Sequence, residues 1–590
     1  MKKERKWDLT KFCKDQNEFE EKFAQVQKMY PEFAKFKGKL GDKKCLHQYL
    51  MLEEKLAQTL GQIFRWAHFN QETDITNTTH RNNVQRAQNL HAQISKTQAY
   101  YMPELLALKD EYFDELIADK NFADWRHTFC ILKKQKQHVL TTEQEELLSM
   151  LSPIMSSFVQ IYKSCKFADI KFGDVLDSKG KPHALTDTNF GVLMENPDRV
   201  LRQNVYDRFF ERHENYFNTL ATNLISQIQR NNIVSKIYKY NSVLEETLLY
   251  NDMTVDFYNT FIKKMQPLFT INKEYNTLKA ELLKKQYKLD KVYQYDLGLA
   301  VGKKTGPYDF ETGVDIVKKS LAVLGDEYIG VLQRAIDENW IDVYPSKHKF
   351  TGGFCGGAYR ISPVILLNWE NQLQDVYTLA HELGHAIRQV YCDNNNSRDD
   401  SDAPMFIEET FSTVNQTLMY RYLIDNEKDI DKKINYLCEY LDIMFTYVVG
   451  SVQDSMCEDD IYNRVANGKP VDKDIILKYA NQTFAKTRAD GVPKGHGSSR
   501  TITMFHYYSV PYYVWQYSCG MTNANMIVNK IQKDPSFVKK YIEFNKAGGM
   551  YPLDMLKLVD IDYSTDAPFD EIKKELVYRV NQLKELIAKK

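Results

Sequence analysis

Apolar positions recur at three- and four-residue intervals through most of the chain, the spacing that lines one face of an α-helix. From Thr254, suited to a helix N-cap, they fall at Val255, Tyr258, Ile262 and Met265. Near the C-terminus a similar stripe runs through Ile572, Leu576, Val580, Leu583 and Ile587. Thr142 followed by Glu145 ahead of an apolar run has the form of a capping box. Two stretches break the helical period. Residues 167–185 alternate in short runs around Ser178, Lys179 and Gly180, which predicts a hairpin. Residues 341–369 join a glycine cluster to a β-prone run at 361–367. No fixed-period repeat or low-complexity linker interrupts the chain. The predicted fold is mainly α, with a helical N-terminal lobe over 1–190 and a larger lobe over 191–590 built around a small sheet.

Composition narrows this picture. The 590 residues include 25 glycines and 16 prolines, roughly 4% and 3% against about 7% and 5% in average usage. That is too few for a turn-rich β fold or a disordered chain. Hydrophobic residues (43%) and aromatics (13%) suffice for a large core. Mean hydropathy is -0.51, and apolar runs such as 364–367 are strand-sized, so no membrane span is expected. Lysine and arginine (78) balance aspartate and glutamate (79), without the basic excess of an extended nucleic-acid surface. The opening MKKERKWDLTKFC is basic but lacks the apolar core of a signal peptide. Nine cysteines are scattered with no CxxC pair, as expected of reduced thiols in a cytoplasmic protein.

The chemistry concentrates in VYTLAHELGHAIRQVY. His381 and His385 lie four apart, so on a helix both imidazoles stand on one face and reach one metal ion. Glu382, beside the first histidine, is placed to hold a water instead of the metal. This is the HExxH pattern of zinc peptidases, with the histidines as ligands and the glutamate as general base. Val376, Leu379, Ala380, Leu383, Ile387 and Val390 suit a buried helix. Gly384 costs a helix about 1 kcal/mol relative to alanine, and so points to close approach of another backbone. A third ligand is required. The HExxHxxGxxH version is excluded, because Arg388 and Tyr391 stand where it needs glycine and histidine. The other common source is a glutamate on a following helix, and the segment 404–419 (PMFIEETFSTVNQTLM) carries Glu408 and Glu409 side by side. Adjacent residues point about 100° apart on a helix, so only one of the two faces the metal.

Taken together, ILLNWENQLQDVYTLAHELGHA and the following FIEETFSTVNQ resemble peptidase family M3, in particular its oligoendopeptidase F branch. The likeness extends to WDL at 7–9, DRVLRQNVYDRFF from Asp198, GGAY at 356–359 and the aromatic block FHYYSVPYYVWQYSCG at 505–520. The resemblance implies a zincin of two helical lobes, with the sheet beside the HExxH helix and a deep substrate channel carrying one zinc on its wall. Its E-x-x-S pattern assigns the third ligand to Glu409, with Ser412 three residues on. It also assigns His506, Tyr508 and Tyr513 to a group that donates hydrogen bonds to the carbonyl oxygen as that atom gains negative charge. Donors of this kind are worth several kcal/mol in a low-dielectric cleft. One departure stands out: Trp515 occupies the place of the last tyrosine in the family's Tyr-Val-Tyr, offering an indole N–H instead of a phenol.

The implied activity is hydrolysis of internal bonds in short, unstructured peptides. The residues alone leave open an aminopeptidase, a dipeptidase or carboxypeptidase-like enzyme, and an inactive peptide-binding protein. Two glycine-rich stretches flank the chemistry. The run 352–357 is suited to letting a substrate strand lie against it. The run 495–499 (GHGSS) reads as a mobile loop near His506. Cys355 sits within the first, as a cleft thiol or a core one.

Overall fold

Helices begin where a short polar side chain takes up the free N–H groups of the first turn. In the computed structural model, residues 5–401 and 404–590 are described, apart from the side chains of residues 142, 146, 149, 152 and 153. Thr254 Oγ1 accepts from Phe257 N at 3.1 Å and opens Val255–Met265, which buries Tyr258, Phe261, Ile262 and Met265. Asp198 caps Arg199–Glu214, and Arg199 and Arg202 of that helix both pair with the buried Asp296. The C-terminal stripe forms Ala567–Ala588, with Ile572, Leu576, Val580 and Leu583 buried and Ile587 half-buried. A helix spans Thr142–Met155, but the capping box expected at Thr142 rests on a side chain outside the described residues. No helix among the described residues is long and apolar enough to cross a membrane. No cysteine is paired.

Strands occupy the two places where the helical period breaks. β1 (Asp174–Leu176) and β2 (Pro182–Ala184) form the antiparallel hairpin, with Gly180 at φ 75° in its turn. β3 (Ile341–Asp342), β4 (Phe354–Ala358) and β5 (Ile361–Leu366) make a sheet in the order β3-β5-β4, parallel between β3 and β5 and antiparallel between β4 and β5. Buried Lys349 ties this sheet together, bonding Asp342 Oδ1 at 2.5 Å and the carbonyls of Tyr344 and Leu367 at 2.8 and 2.6 Å.

The chain divides into two compact units, neither continuous in sequence. The first comprises residues 1–142, 306–419 and 527–562; the second comprises 143–305, 420–526 and 563–590. The lobe boundary expected at 190 falls inside the second unit. Within the first unit, Trp7 of the WDL sequence packs against Phe69 and Phe354, with ring centroids 5.4 and 6.1 Å apart. Arg388, which stands where the HExxHxxGxxH pattern needs glycine, donates to the carbonyls of Asn545 and Ala547 at 2.8 and 2.7 Å. It thereby holds the late segment 527–562 against the HExxH helix.

That helix spans Leu373–Asn395 and starts at a capping box, in which Asp375 Oδ2 accepts from Gln372 N at 2.8 Å. The following helix, Met405–Asn426, runs seven residues beyond the expected end at 419. The two backbones touch at Gly384. A Cβ there would lie 2.5 Å from Ser412 Cα and 2.8 Å from Phe411 O. Backbone cannot move aside as a flexible side chain can, so Gly384→Ala is expected to force the helices apart. The expected cost is about 1–3 kcal/mol, as for other overpacked cores. A lowered melting temperature together with weakened metal retention checks it; an unchanged melting temperature would show that the contact is not tight.

Candidate active site

The Gly384–Ser412 contact sets Glu409, one turn before Ser412, beside the two histidines. His381 Nε2 and His385 Nε2 are 3.2 Å apart, and Glu409 Oε2 lies 3.5 and 3.7 Å from them. Among the described residues these three form the one His/Cys/Asp/Glu group whose donor atoms converge tightly enough for a metal. Metal–donor bonds of about 2.0–2.1 Å put the donors of a tetrahedral zinc about 3.3–3.4 Å apart. The observed spacings bracket that value, so this donor set fits zinc.

Two members of the group, Glu409 and His385, are held from different directions. Ser412 Oγ donates to Glu409 Oε2 at 3.1 Å, which gives the serine of the E-x-x-S pattern a physical task. Glu408 turns away from the convergence point and meets His385 Nδ1 at 3.2 Å. That contact leaves Nε2 of His385 as the free donor, the usual arrangement behind a metal-binding imidazole. Burial opposes a charge on His385, but the Glu408 hydrogen bond and the charges of Glu409, Glu408 and Glu382 outweigh it and raise its pKa to about 9. His381 Nδ1 is buried with no partner among the described residues.

Glu382 is buried at 6% exposure. Burial pushes its carboxyl above the usual range, the two histidines pull it down, and Glu409 adds to the rise. The backbone amide of Cys355 on β4 lies beside it and lowers it slightly in turn. Gly353, at the start of the same segment, comes as close to the helix: a Cβ there would lie 2.8 Å from Thr378 Cγ2 and 3.7 Å from Glu382 Oε1. Cys355 thus contributes its backbone to the site, and burial drives its thiol well above the ordinary value.

The aromatic block belongs to the second unit and sorts into two sets. His506, Tyr513 and Tyr517 cluster, all half-buried. The His506 and Tyr513 rings stack at 5.7 Å, and Tyr517 Oη lies 3.4 Å from His506 Nε2. Tyr512 adopts φ 54°, a left-handed conformation uncommon for a bulky residue, and its N–H is held by Glu458 Oε1 at 2.9 Å. This turn separates the His506 helix (Phe505–Ser509) from the Tyr517 helix (Trp515–Lys533).

Tyr508 and Trp515 form the other set. The expected donor role of Tyr508 is corrected by its surroundings: it is fully buried, and its hydroxyl is committed to the carbonyls of Leu220 and Ile502 at 2.9 and 2.8 Å. Trp515 is buried at 1% exposure among the rings of Phe257, Tyr258 and Phe261. Its substitution for tyrosine is a matter of core packing. The 495–499 segment, expected as a mobile loop, is instead anchored. His496 bonds Glu214 Oε1 at 2.7 Å and Tyr206 Oη at 2.8 Å, and stacks on Phe210.

The model of Peptidase family M3 matches residues 192–575, about two-thirds of the chain, and that of Oligopeptidase F matches 104–172. The chain belongs to peptidase family M3. As a member of M3 it is a metallopeptidase. Oligopeptidase PepF of Bacillus subtilis is 29% identical over 100% of this chain and 88% of its own length. An oligoendopeptidase F homolog of Borreliella burgdorferi is 26% identical over 98% of both chains. The same fold is seen in the oligoendopeptidase-F structure from Enterococcus faecium (TM-score 0.75, 24% identity, 98% of this chain and 100% of that one). A structure from Chlamydophila abortus shows it too (TM-score 0.84, 23% identity, 99% and 98%).

Sequence reasoning on this M3 chain missed two contributors. Tyr517 lies four residues after Tyr513, and that helical spacing was the available signal. The contact of Glu408 with His385 had no signal in the sequence, since it depends on where the second helix crosses the first. Two predictions follow from the geometry. Glu409→Ala removes a donor and is expected to abolish stoichiometric zinc binding. Glu408→Ala keeps all three donors and is expected to weaken affinity by about 10–100-fold. Chelator competition measures both, and equal affinities in the two variants would overturn the assignment. Tyr508→Phe leaves two carbonyls without their donor, so it should lower the melting temperature by more than it lowers kcat. Tyr513→Phe and Tyr517→Phe should do the reverse, read from kcat and melting curves side by side.

Proposed function

We propose that this M3 peptidase is a zinc-dependent endopeptidase that hydrolyses internal bonds of short, unstructured peptides. The observation that carries the reading is the convergence of His381, His385 and Glu409 beside the buried carboxyl of Glu382. The names of its relatives, oligopeptidase and oligoendopeptidase, support the size class and the internal position of the bond.

In this reading His381 and His385 bind zinc through Nε2 and Glu409 through Oε2. Zinc held there supplies Lewis acidity, polarising a water and the scissile carbonyl. Glu382 accepts the proton of the attacking water and carries it to the leaving amine. Its raised pKa suits both steps, since a base that must also act as an acid works best near the operating pH. His506, Tyr513 and Tyr517 serve as donors to the carbonyl oxygen as it becomes negative, a role proposed from the family pattern and from their shared cluster.

The expected behaviour of Glu382→Gln tests the assignment. The amide keeps the shape and leaves all three zinc donors in place, so metal content should stay at one per chain. Turnover of a short blocked peptide should fall by about 10²–10⁴-fold or more, the usual cost of losing a general base. Metal analysis and rate measurement on the same preparation decide it; a variant with near-normal turnover would sink the role of Glu382.

A further inference from the structure

The second unit contains a cavity of about 440 Å³ that the metal chemistry does not use. Three cationic side chains line it. Lys279 is neutralised by Asp442 at 2.7 Å, and that carboxylate is held also by Tyr275 Oη at 2.8 Å. Arg500 is paired with Asp454 at 2.5 Å. Arg488 is half-buried and has no carboxylate or other polar partner among the described residues. The cavity therefore carries one uncompensated positive charge, on a guanidinium whose fork matches a carboxylate in two parallel hydrogen bonds. Asn276 and Asn481 add amide groups to the walls; Asn276 Nδ2 is bonded to Thr487 O and Asn481 Oδ1 accepts from Ser498 Oγ, which leaves the other end of each amide for a peptide backbone.

One step along the chain links the cavity wall to the His506 cluster. Thr446 lines the cavity, and the next residue, Tyr447, packs its ring 5.6 Å from that of Tyr517, whose hydroxyl reaches His506. The anchored glycine segment forms part of the same wall through Gly495, Gly497 and Ser498. A volume of this size holds a few peptide residues and falls within the range of ordinary ligand pockets.

We infer that this cavity is a subsite for the C-terminal carboxylate of a peptide, with Arg488 as the residue that recognises it. The inference rests on the reading of the chain as a peptidase of short peptides. On such a substrate the terminal carboxylate is the one anion present whatever the sequence. An anchor for it selects peptides with a free end within a few residues of the cavity, and disfavours chains whose end is blocked or distant.

The test compares one N-acetylated octapeptide of alanine, glycine and phenylalanine as its free acid and as its carboxamide. The wild-type enzyme is expected to show a KM for the acid lower by roughly tenfold or more, the size of a charge-assisted hydrogen bond, with kcat little changed. Arg488→Gln is expected to raise the KM of the acid to that of the amide, leave the amide unaffected and keep the wild-type melting temperature. The same two peptides are titrated calorimetrically into the Glu382→Gln enzyme, which reads the cavity without turnover. Tighter binding of the acid there, lost in Glu382→Gln/Arg488→Gln, supports the subsite even if neither peptide is cleaved, so failure of the reaction and failure of the cavity are distinguishable. Equal affinity for acid and amide in the wild type, or a preference that survives Arg488→Gln, overturns the inference.

Discussion

The contact between two helix backbones at Gly384 and Ser412 is the constraint on which the metal centre depends. A histidine pair four residues apart can be supplied by one helix, but the third donor must come from another element at a fixed distance. With Cα of Ser412 only 2.5 Å from where the Cβ of any larger residue would be, the second helix lies closer to the first than any side chain at 384 would allow. Glu409, one turn earlier, then reaches the histidines with a short carboxylate side chain. Glycine here lowers helix propensity by about 1 kcal/mol, a cost offset by the packing and by the metal site it permits.

Around this contact the carboxylates divide their tasks by direction. Glu409 points to the two Nε2 atoms and is steadied by Ser412; Glu408, one residue earlier, points to the far nitrogen of His385. Glu382 points to neither and has the backbone amide of Cys355 on β4 beside it. Three acidic side chains thus lie within one small region without competing for the same partner. The sheet is small, yet it has a role in the site, since β4 brings that amide to the HExxH helix, and the glycines of 352–357 let the strand come close. Lys349 satisfies the carbonyls of Tyr344 and Leu367 that flank the sheet, a necessity for polar groups removed from water.

In the second unit the same aromatic sequence yields both core and chemistry. Tyr508 and Trp515 face inward and pack, whereas His506, Tyr513 and Tyr517 remain half-buried and share a cluster. The turn at Tyr512 and the buried carboxyl of Glu458 behind it create that division. Burial pushes the Glu458 carboxyl up to about 8, and the Tyr512 N–H that it accepts pulls the other way.

Much of this was determined by the sequence alone. The helical character, the hairpin at Gly180, the strand at 361–366 and the HExxH helix follow from local periodicity, turn chemistry and capping, which act over a few residues. The metal pair was legible because four-residue spacing on a helix converts directly into geometry, and Gly384 announced a close approach without saying to what. Tertiary structure alone decided the rest. Glu408 and Glu409 are chemically equivalent neighbours, and the crossing of two helices, not their identity, gives them different atoms to contact. Tyr508, Tyr513 and Trp515 are likewise interchangeable by composition, and burial by distant residues such as Leu220 and Phe261 separates them. The two units interleave segments far apart in the chain, so their extent could not be read from a local change in composition. Local pattern specifies elements and candidate groups; which groups converge depends on contacts between residues with no fixed separation in sequence.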